Sequence, residues 1–428
     1  MINRSAPHIS DFSSFEFPFP VQKEIINNNG HIIPLKLIQR GTEPVCRLSI
    51  LWKKPEGTEK TDADVIMTRM LREGTEIFTG SEIEDILDYN GAWMNIQNNY
   101  NNIVLSLYCI SNRLPDLLSI INSMITVPSF PEDRLKLIKE KEIDAIRLRN
   151  LKVSYVAERE LFRKLFGTNH PRAFETTIEG IQNISRESLK ASYNKLISSI
   201  KPQVWIGGNI NPNEIKDIPL LVDSIKGKWD VLEKEEIIQN HAQSSERISI
   251  TVPNSSQCAV TMGLLIPQLE VTEYIKLKIA VTVLGGYFGS RLNLRIREDE
   301  GLTYGITSSI TYSREGGLFM ISAQATKENI NQLIESTTIE IRKMAEEKIS
   351  EEELKSARRF QMSLLANLLE SPFSLLELYM GMESDNLTEN FLPAFQDLLL
   401  SITPEDIKNT VAKYLNPELL TVIVAGNI

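Results

Sequence analysis

Residues 297–305, with the sequence REDEGLTYG, place two polar side chains that could do chemistry around one glycine. Arg297 carries a guanidinium rich in N–H donors, and Tyr304, seven positions later, carries a hydroxyl that can donate or accept. Gly301 can end the preceding helical pattern in a left-handed conformation, and Tyr304 begins an alternating strand pattern. On composition alone, a solvent-facing Arg297 and a Tyr304 packed on the sheet are the favoured interpretation.

The remaining residues show no pattern typical of a metal site or of a catalytic nucleophile. Of the four histidines, no pair has the close helical spacing that would turn two imidazoles toward one metal; they are His8, His31, His170 and His241. The dipeptide His170-Pro171 is typical of a loop. The sequence contains no Gly-x-Ser-x-Gly elbow, and carboxylate runs such as SEEELK are typical of solvated helix faces and caps.

The glycine-rich stretch LGGYFGSRL invites comparison with a dinucleotide-binding loop. Such a loop must follow a strand, whereas this stretch follows the helical run YIKLKIAVTV. We therefore predict a tight connection between two helices and no bound cofactor.

Length, charge and cysteine usage bound the class of protein. A chain of 428 residues is too long for one ordinary core, and its net charge of −10 argues against nucleic acid and anionic membranes as partners. The three cysteines lie far apart in apolar runs and are predicted to be buried thiols: Cys46, Cys109 and Cys258. The first residues lack the pattern of a secretory signal, so we expect a cytoplasmic protein, with a periplasmic location open if a leader has been removed.

The chain contains an internal repeat. Two apolar strands, KPQVWIGGNI and LLTVIVAGNI, end on the same Gly-Asn-Ile. Three separate matches share an offset of 218 or 219 residues: Ile210 with Ile428, Leu189 with Ile407, and Leu135 with Leu354. Such agreement indicates a duplication. We predict an N-terminal domain at residues 1–225, a polar linker at residues 226–246 and a C-terminal domain at residues 247–428.

Each half shows strand patterns, then helices, then paired strands, then more helices and a closing strand. Neither half alternates strand and helix as a parallel α/β fold would. The predicted fold class is α+β, with two homologous domains that are each an antiparallel-rich sheet with helices packed on one face.

The repeat, the stretch LGGYFGSRLNLRIREDEGLTYG and the Gly-Asn-Ile endings resemble the pitrilysin-type (inverzincin) metallopeptidases across essentially the whole chain. Members of that family hold a catalytic zinc with an inverted motif, His-x-x-Glu-His, plus a Glu on a later helix. They also carry an Arg and a Tyr, spaced as in REDEGLTY, that hydrogen-bond the substrate near the zinc. The resemblance therefore implies that Arg297 and Tyr304 bind substrate.

The zinc motif itself is replaced. The stretch VIMTRMLREGT aligns with the family pattern through Met70-Leu71 and Gly74-Thr75, which places Val65, Thr68 and Arg69 at the His, Glu and His positions. Counting back from the sequence LFG puts Ala145 at the later Glu, and a slip of one residue would put Asp144 there. Val65 has no lone pair, Thr68 is no base at neutral pH, and Arg69 is a permanent cation, so no zinc is expected in this chain.

The resemblance implies a non-zinc-binding subunit of a two-chain peptidase, inactive alone, like the partner chains of bacterial peptidases and of the mitochondrial processing peptidase. A homologous subunit would bring the zinc, and the pair would enclose a chamber for peptide hydrolysis. The alternative is a catalytically inactive structural or peptide-holding protein of the same fold. The isolated chain could also pair with itself.

Overall fold

The computed structural model of the protein describes residues 14–26, 30–211, 213, 215–219, 221, 245–313 and 316–428. His8, His241 and residues 226–244 of the predicted linker lie outside these ranges. The proposed division into domains therefore stays a prediction. Within the described ranges, no helix is both long and apolar enough to cross a membrane.

The described elements of the first half form one sheet, with groups of strands followed by groups of helices. In chain order they are β1 Val21–Ile26, β2 Ile32–Gln39, β3 Val45–Lys53, α1 Asp62–Met70, α2 Gly80–Tyr89, β4 Trp93–Asn98, β5 Asn102–Ile110, α3 Leu114–Thr126, α4 Glu132–Asn150, α5 Val153–Phe166, α6 Ile178–Gln182, α7 Arg186–Tyr193 and β6 Pro202–Gly208. A π-helical turn, Asn194–Ser198, extends α7.

The second half repeats this plan. Its elements are β7 Arg247–Thr251, β8 Cys258–Ile266, α8 Val271–Gly285, a π-helical segment Asn293–Asp299, β9 Ile306–Thr311, β10 Gly317–Ala325, α9 Ile330–Glu346, α10 Glu351–Glu370, α11 Pro372–Ser384, α12 Phe391–Ser401, α13 Pro404–Tyr414 and β11 Thr421–Gly426. The long helices predicted at Leu135 and Leu354 are α4 and α10.

Apart from the additional edge strand β1, the two sheets share a strand order. The first runs β1-β2-β6-β3-β5-β4 and the second runs β7-β11-β8-β10-β9. In each, the closing strand pairs parallel to one neighbour, β6 with β2 and β11 with β7, and the other pairings are antiparallel. This confirms the predicted fold class of antiparallel-rich sheets with helices.

The repeated glycines at the strand ends allow a close approach between neighbouring backbones. Gly208 lies opposite Cys46 at the start of β3 and has a φ of +138°, which disfavours other residues. A Cβ at Gly208 would collide with the Val45 carbonyl oxygen, and a Cβ at Gly426 would collide with Cys258. The predicted buried thiols are confirmed at the three cysteines, and the Sγ atoms of Cys46 and Cys109 lie 3.6 Å apart.

Each sheet packs against a helix from the opposite half as well as against helices of its own half, and the sequence pattern did not predict this exchange. Helix α5 of the first half packs on β8 and β11 of the second sheet, with Leu161 buried in that contact and Leu265 and Ile423 beside it. Reciprocally, α11 of the second half packs on β2, β3 and β6 of the first sheet. The outer face of each sheet is therefore covered by a helix from the opposite half.

Candidate functional site

Helix α1 carries the three residues at the predicted zinc-motif positions. It begins with a capping box, in which the Thr61 hydroxyl accepts from the Asp64 N–H and the Asp64 carboxylate accepts from the Thr61 N–H. Thr68 is buried, and its hydroxyl donates to the Val65 carbonyl at 2.9 Å. That hydroxyl is therefore used inside its own helix. Arg69 projects outward toward α4, with 44% of its side chain exposed.

The partner of Arg69 is Glu142 on α4, a residue that the sequence reasoning missed. The Glu142 side chain is only 1% exposed, yet it accepts from the guanidinium of Arg69 and from Arg149 Nη2 at 3.0 Å. The Thr176 hydroxyl lies 3.5 Å from its Oε1. We call Arg69, Glu142 and Arg149 the arginine–glutamate cluster.

This cluster does not fit a divalent metal. Two guanidinium cations already pair with the buried carboxylate, so a metal ion there would meet net positive charge. The predicted position Ala145 is half-buried and offers no ligand atom, while Asp144 is exposed and pairs with Arg147 at 2.9 Å. Among the described residues, no group of three or more His, Cys, Asp or Glu side chains could hold a metal.

One further carboxylate lies near the cluster. Burial is the main cause that raises the pKa of Asp62 above its ordinary value. The Thr177 N–H donates to Asp62 Oδ1 at 3.0 Å and opposes that rise, and the negative charge of Glu142 adds to it. Asp62 thus belongs to a structural corner that joins α1 to α6.

Arg297 lies in the π-helical segment Asn293–Asp299, where its guanidinium stacks over an aromatic ring. Its Cζ is 3.9 Å from the centroid of Phe288, which is 66% exposed. The nearest carboxylate oxygen, from Glu298, is 3.6 Å from Nη1, which is too long for a hydrogen bond. Nη1 is itself shielded from solvent and has no hydrogen-bond partner among the described residues.

Tyr304 lies in the loop before β9, with 92% of its surface exposed. The strand begins two residues after it, at Ile306, so Tyr304 is neither packed on the sheet nor part of it. The loop is held in place by Thr303, whose hydroxyl contacts the carbonyl oxygens of Gly305 at 2.9 Å and Gln324 at 2.6 Å.

Gly301 has a φ of +64°, which confirms the left-handed turn predicted at the end of the helical segment. Within the part of the chain that the structure describes, no hydrogen bond joins Arg297 to Tyr304. Both lie beside β9, the outermost strand of the second sheet. Arg297 and the loop of Tyr304 therefore present two donors beside a strand that has a single strand neighbour among the described residues.

The predicted connection between two helices is confirmed at the stretch LGGYFGSRL. Helix α8 ends at Gly285, and a Cβ at Gly286 would come within 2.6 Å of the Thr282 Cα. The stretch also supplies Phe288, the ring beneath Arg297, which the sequence reasoning did not identify. The sequence shows an aromatic residue within a glycine-rich connection, but its exposure and its contact with Arg297 are visible only in the structure.

Comparison with known proteins supports the resemblance drawn from the sequence. A family model described as "Peptidase M16 inactive domain" matches residues 183–360. A Helicobacter pylori protein named "Non-peptidase homolog YmxG" is 22% identical over 341 residues, covering 78% of this chain and 76% of that protein. A Bacillus subtilis protein named "Uncharacterized zinc protease YmxG" is 23% identical over 309 residues, covering 71% and 74%.

Solved structures share the fold over nearly the whole chain. The crystal structure of a peptidase M16 inactive domain from Pseudomonas fluorescens superposes with a TM-score of 0.83 at 22% identity, covering 95% of this chain and 98% of that one. The crystal structure of a Helicobacter pylori protease gives a TM-score of 0.81 at 14% identity, covering 95% and 100%. The resemblance of this chain to the pitrilysin-type, or M16, peptidases is therefore confirmed, and the family model that it matches is that of the inactive domain.

Proposed function

We propose that this chain is the non-zinc-binding subunit of a heterodimeric zinc metallopeptidase. A homologous partner with an intact His-x-x-Glu-His motif would bring the metal and activate water. This chain would contribute Arg297, Tyr304 and half of the chamber in which a peptide substrate is held. The arginine–glutamate cluster supports inactivity of the chain alone, because it occupies the place where a metal would have to bind.

The observation that carries this proposal is the state of Arg297. A shielded guanidinium N–H with no acceptor costs free energy, on the order of 1–3 kcal/mol for a buried donor. A carbonyl oxygen of a bound peptide would supply the acceptor that Arg297 Nη1 lacks among the described residues. Tyr304, in the loop that follows this segment, adds an exposed hydroxyl.

The chemistry follows from the two donors and the adjacent strand edge. An extended peptide can pair with the open edge of β9 through its backbone, which would bring a carbonyl oxygen near the loop. The Arg297 guanidinium would donate to that oxygen as it gains negative charge, and the Tyr304 hydroxyl would add a second donor. These groups bind and orient the substrate, while hydrolysis is completed at the partner.

A second candidate function is a catalytically inactive structural or peptide-holding protein. The name "Non-peptidase homolog" of the Helicobacter pylori relative favours it. This candidate differs in one testable respect, since it gives Arg297 and Tyr304 no part in turnover.

The test is peptide hydrolysis by this chain reconstituted with a zinc-bearing homologue from the same genome. We expect no hydrolysis by this chain alone and full activity only in the pair. Arg297→Ala or Tyr304→Phe should reduce kcat/KM of the pair about a hundredfold, since one preorganised oxyanion donor is worth ~3 kcal/mol. The matched control is Arg295→Ala on the same segment, whose guanidinium already pairs with Glu300 at 2.9 Å.

Sedimentation must show that each variant still assembles. Loss of activity in Arg297→Ala and Tyr304→Phe, but not in Arg295→Ala, supports the proposal. Full activity of both variants in an intact complex would refute the assignment of these residues and favour the scaffold. Stoichiometric zinc and chelator-sensitive hydrolysis in this chain alone would refute the proposed division of labour.

A further inference from the structure

A cavity of 690 Å³ opens between the two halves of the molecule. Its walls come from the outer face of the first sheet, through β3 and β5, and from α8, α11 and the start of α12. Cavities of this size at the junction of two halves are common places for small ligands. The cavity is separate from the loop that carries Arg297 and Tyr304, which does not line it.

Most charged groups in this cavity already have partners. Arg47 donates to the hydroxyls of Ser49 and Ser106, each at 2.9 Å, and pairs with Glu377 at 2.5 Å. Asp385 accepts from Asn101 Nδ2 at 2.7 Å. The Arg47–Glu377 and Asn101–Asp385 contacts join the two halves, and Glu377 already supplies an anion beside Arg47. The carboxylate of Asp385 accepts from a neutral amide, and its negative charge acts on Tyr274 and Tyr312.

Lys278 on α8 is the exception. Its side chain is partly buried and lines the cavity, yet its ammonium has no carboxylate, carbonyl or hydroxyl partner among the described residues. Its Nζ lies 5.8 Å from the centroid of the Phe395 ring, at the outer limit of a cation–π interaction. Burial lowers the pKa of Lys278 below its ordinary value. An ammonium in this position favours an anion beside it.

The remaining walls are aromatic and apolar. Tyr274 and Tyr312 lie with ring centroids 4.6 Å apart, and Phe391 lies 6.2 Å from Tyr274. On the opposite side, Tyr108 meets Phe373 edge to face at 5.5 Å. Such rings bind the flat apolar body of a ligand, whereas a bare inorganic anion would leave them uncovered.

We propose that this cavity is a binding site for a small organic carboxylate with an aromatic or apolar body, the carboxylate pairing with Lys278 Nζ. The aromatic walls supply contact area, and the Lys278 ammonium, which has no anionic partner among the described residues, supplies the preference for an anion. Because Arg47 already forms an ion pair with Glu377, we assign the preference for an anionic ligand to Lys278. This site is independent of the proposed peptidase role.

The test compares two probes of the same shape, 2-naphthoate and its neutral analogue 2-naphthamide, by calorimetric titration of the full chain. We expect 2-naphthoate to bind more tightly than 2-naphthamide. Lys278→Met, which keeps the length and removes the charge, should weaken 2-naphthoate about tenfold or more, the usual effect of losing one charge-assisted hydrogen bond. The same variant should leave the affinity for 2-naphthamide unchanged.

Two controls keep the result decisive. Lys278→Arg should retain the preference for 2-naphthoate, and Lys355→Met, at an exposed lysine of α10 outside the cavity, should bind both probes as the unchanged chain does. A thermal unfolding curve confirms that each variant is folded. Equal affinity for the two probes, an unchanged affinity for 2-naphthoate in Lys278→Met, or no binding of either probe would overturn the proposal.

Discussion

Glu142 is a buried carboxylate that lies between two cations where α1 packs against α4, so its charge affects the stability of this contact. The side chains of Arg69 and Arg149 are each partly exposed to solvent, whereas the carboxylate of Glu142 is buried. A buried charge persists only when its partners compensate the cost of leaving water. The cluster therefore stabilises the corner only while all three charges are present.

This dependence gives a prediction at the residue scale. Glu142→Gln keeps the shape but removes the anion, so two guanidinium groups face each other, and we expect the free energy of unfolding to fall by ~2–3 kcal/mol. The matched control is Asp144→Asn on the same helix, where an exposed pair with Arg147 should change stability by less than ~0.5 kcal/mol. Urea unfolding measures both, and equal effects of the two variants would mean that Glu142 is not the anchor of the corner.

Individual residues differ in how far the sequence could predict them. Val65, Thr68 and Arg69 were placed from the neighbouring Met70-Leu71, which is local information. Glu142 could not be found in this way, since glutamates in charged runs of a helix are typical of solvated faces. Only the packing of α4 against α1 turns this one inward. Lys278 could not be predicted as a site residue either, because it lies within the apolar run of α8, which indicates a core helix.

At the scale of elements, the helix starts were predictable because their signals are local. Ser185 and Thr403 both form capping boxes, with the residue three positions later closing each one. The glycines that end β6 and β11 were equally visible as a repeated Gly-Asn-Ile. The exchange of α5 and α11 was not, since an apolar helix face indicates that something covers it without indicating which sheet.

The contact between α8 and α13 gives a prediction about pH. Glu273 on α8 accepts from Lys413 Nζ at 3.0 Å and from the Tyr414 hydroxyl at 2.9 Å. The hydrogen bond from Lys413 has the larger effect and that from Tyr414 the next, and they lower the pKa of Glu273 to about 2. A lowered carboxylate pKa contributes stability that is present above the unfolded value, 4.5, and is lost as the pH falls toward 2. Glu273→Gln should therefore be less stable than the unchanged chain at pH 7 and nearly equal to it near pH 2.

Urea unfolding of both chains across this pH range measures the difference. The control is Glu335→Gln on α9, an exposed glutamate with no ion pair within the described ranges, which should match the unchanged chain in stability at pH 7. A stability difference for Glu273→Gln that stays constant from pH 7 to pH 2 would contradict the role of this carboxylate.

At the scale of the whole molecule, the two halves are joined by an exchange of helices as well as by the chain between them. Helix α5 inserts Leu161 against Gly263 of β8, where a Cβ on the glycine would lie 2.7 Å from the leucine Cδ2. On the other sheet, a Cβ at Gly207 would lie 3.2 Å from the Pro372 carbonyl oxygen of α11. Small residues at both contacts let helix and sheet approach closely. The same device thus serves both halves of the repeat.

This exchange predicts how the molecule behaves when it is cut. Limited proteolysis should cleave first within residues 233–246, the polar stretch of the predicted linker, and the two fragments should elute together in gel filtration because α5 and α11 each lie on the opposite half. Leu161→Ala should make the cut chain separate more readily, since a deleted core leucine costs ~2–5 kcal/mol. Glu158→Ala, at an exposed position of the same helix, is the matched control and should separate no more readily than the unchanged chain.

Early cuts scattered through either half, with none in this stretch, would contradict the domain boundary. Fragments that separate at once in the unchanged chain would show that the exchanged helices do not hold the halves together.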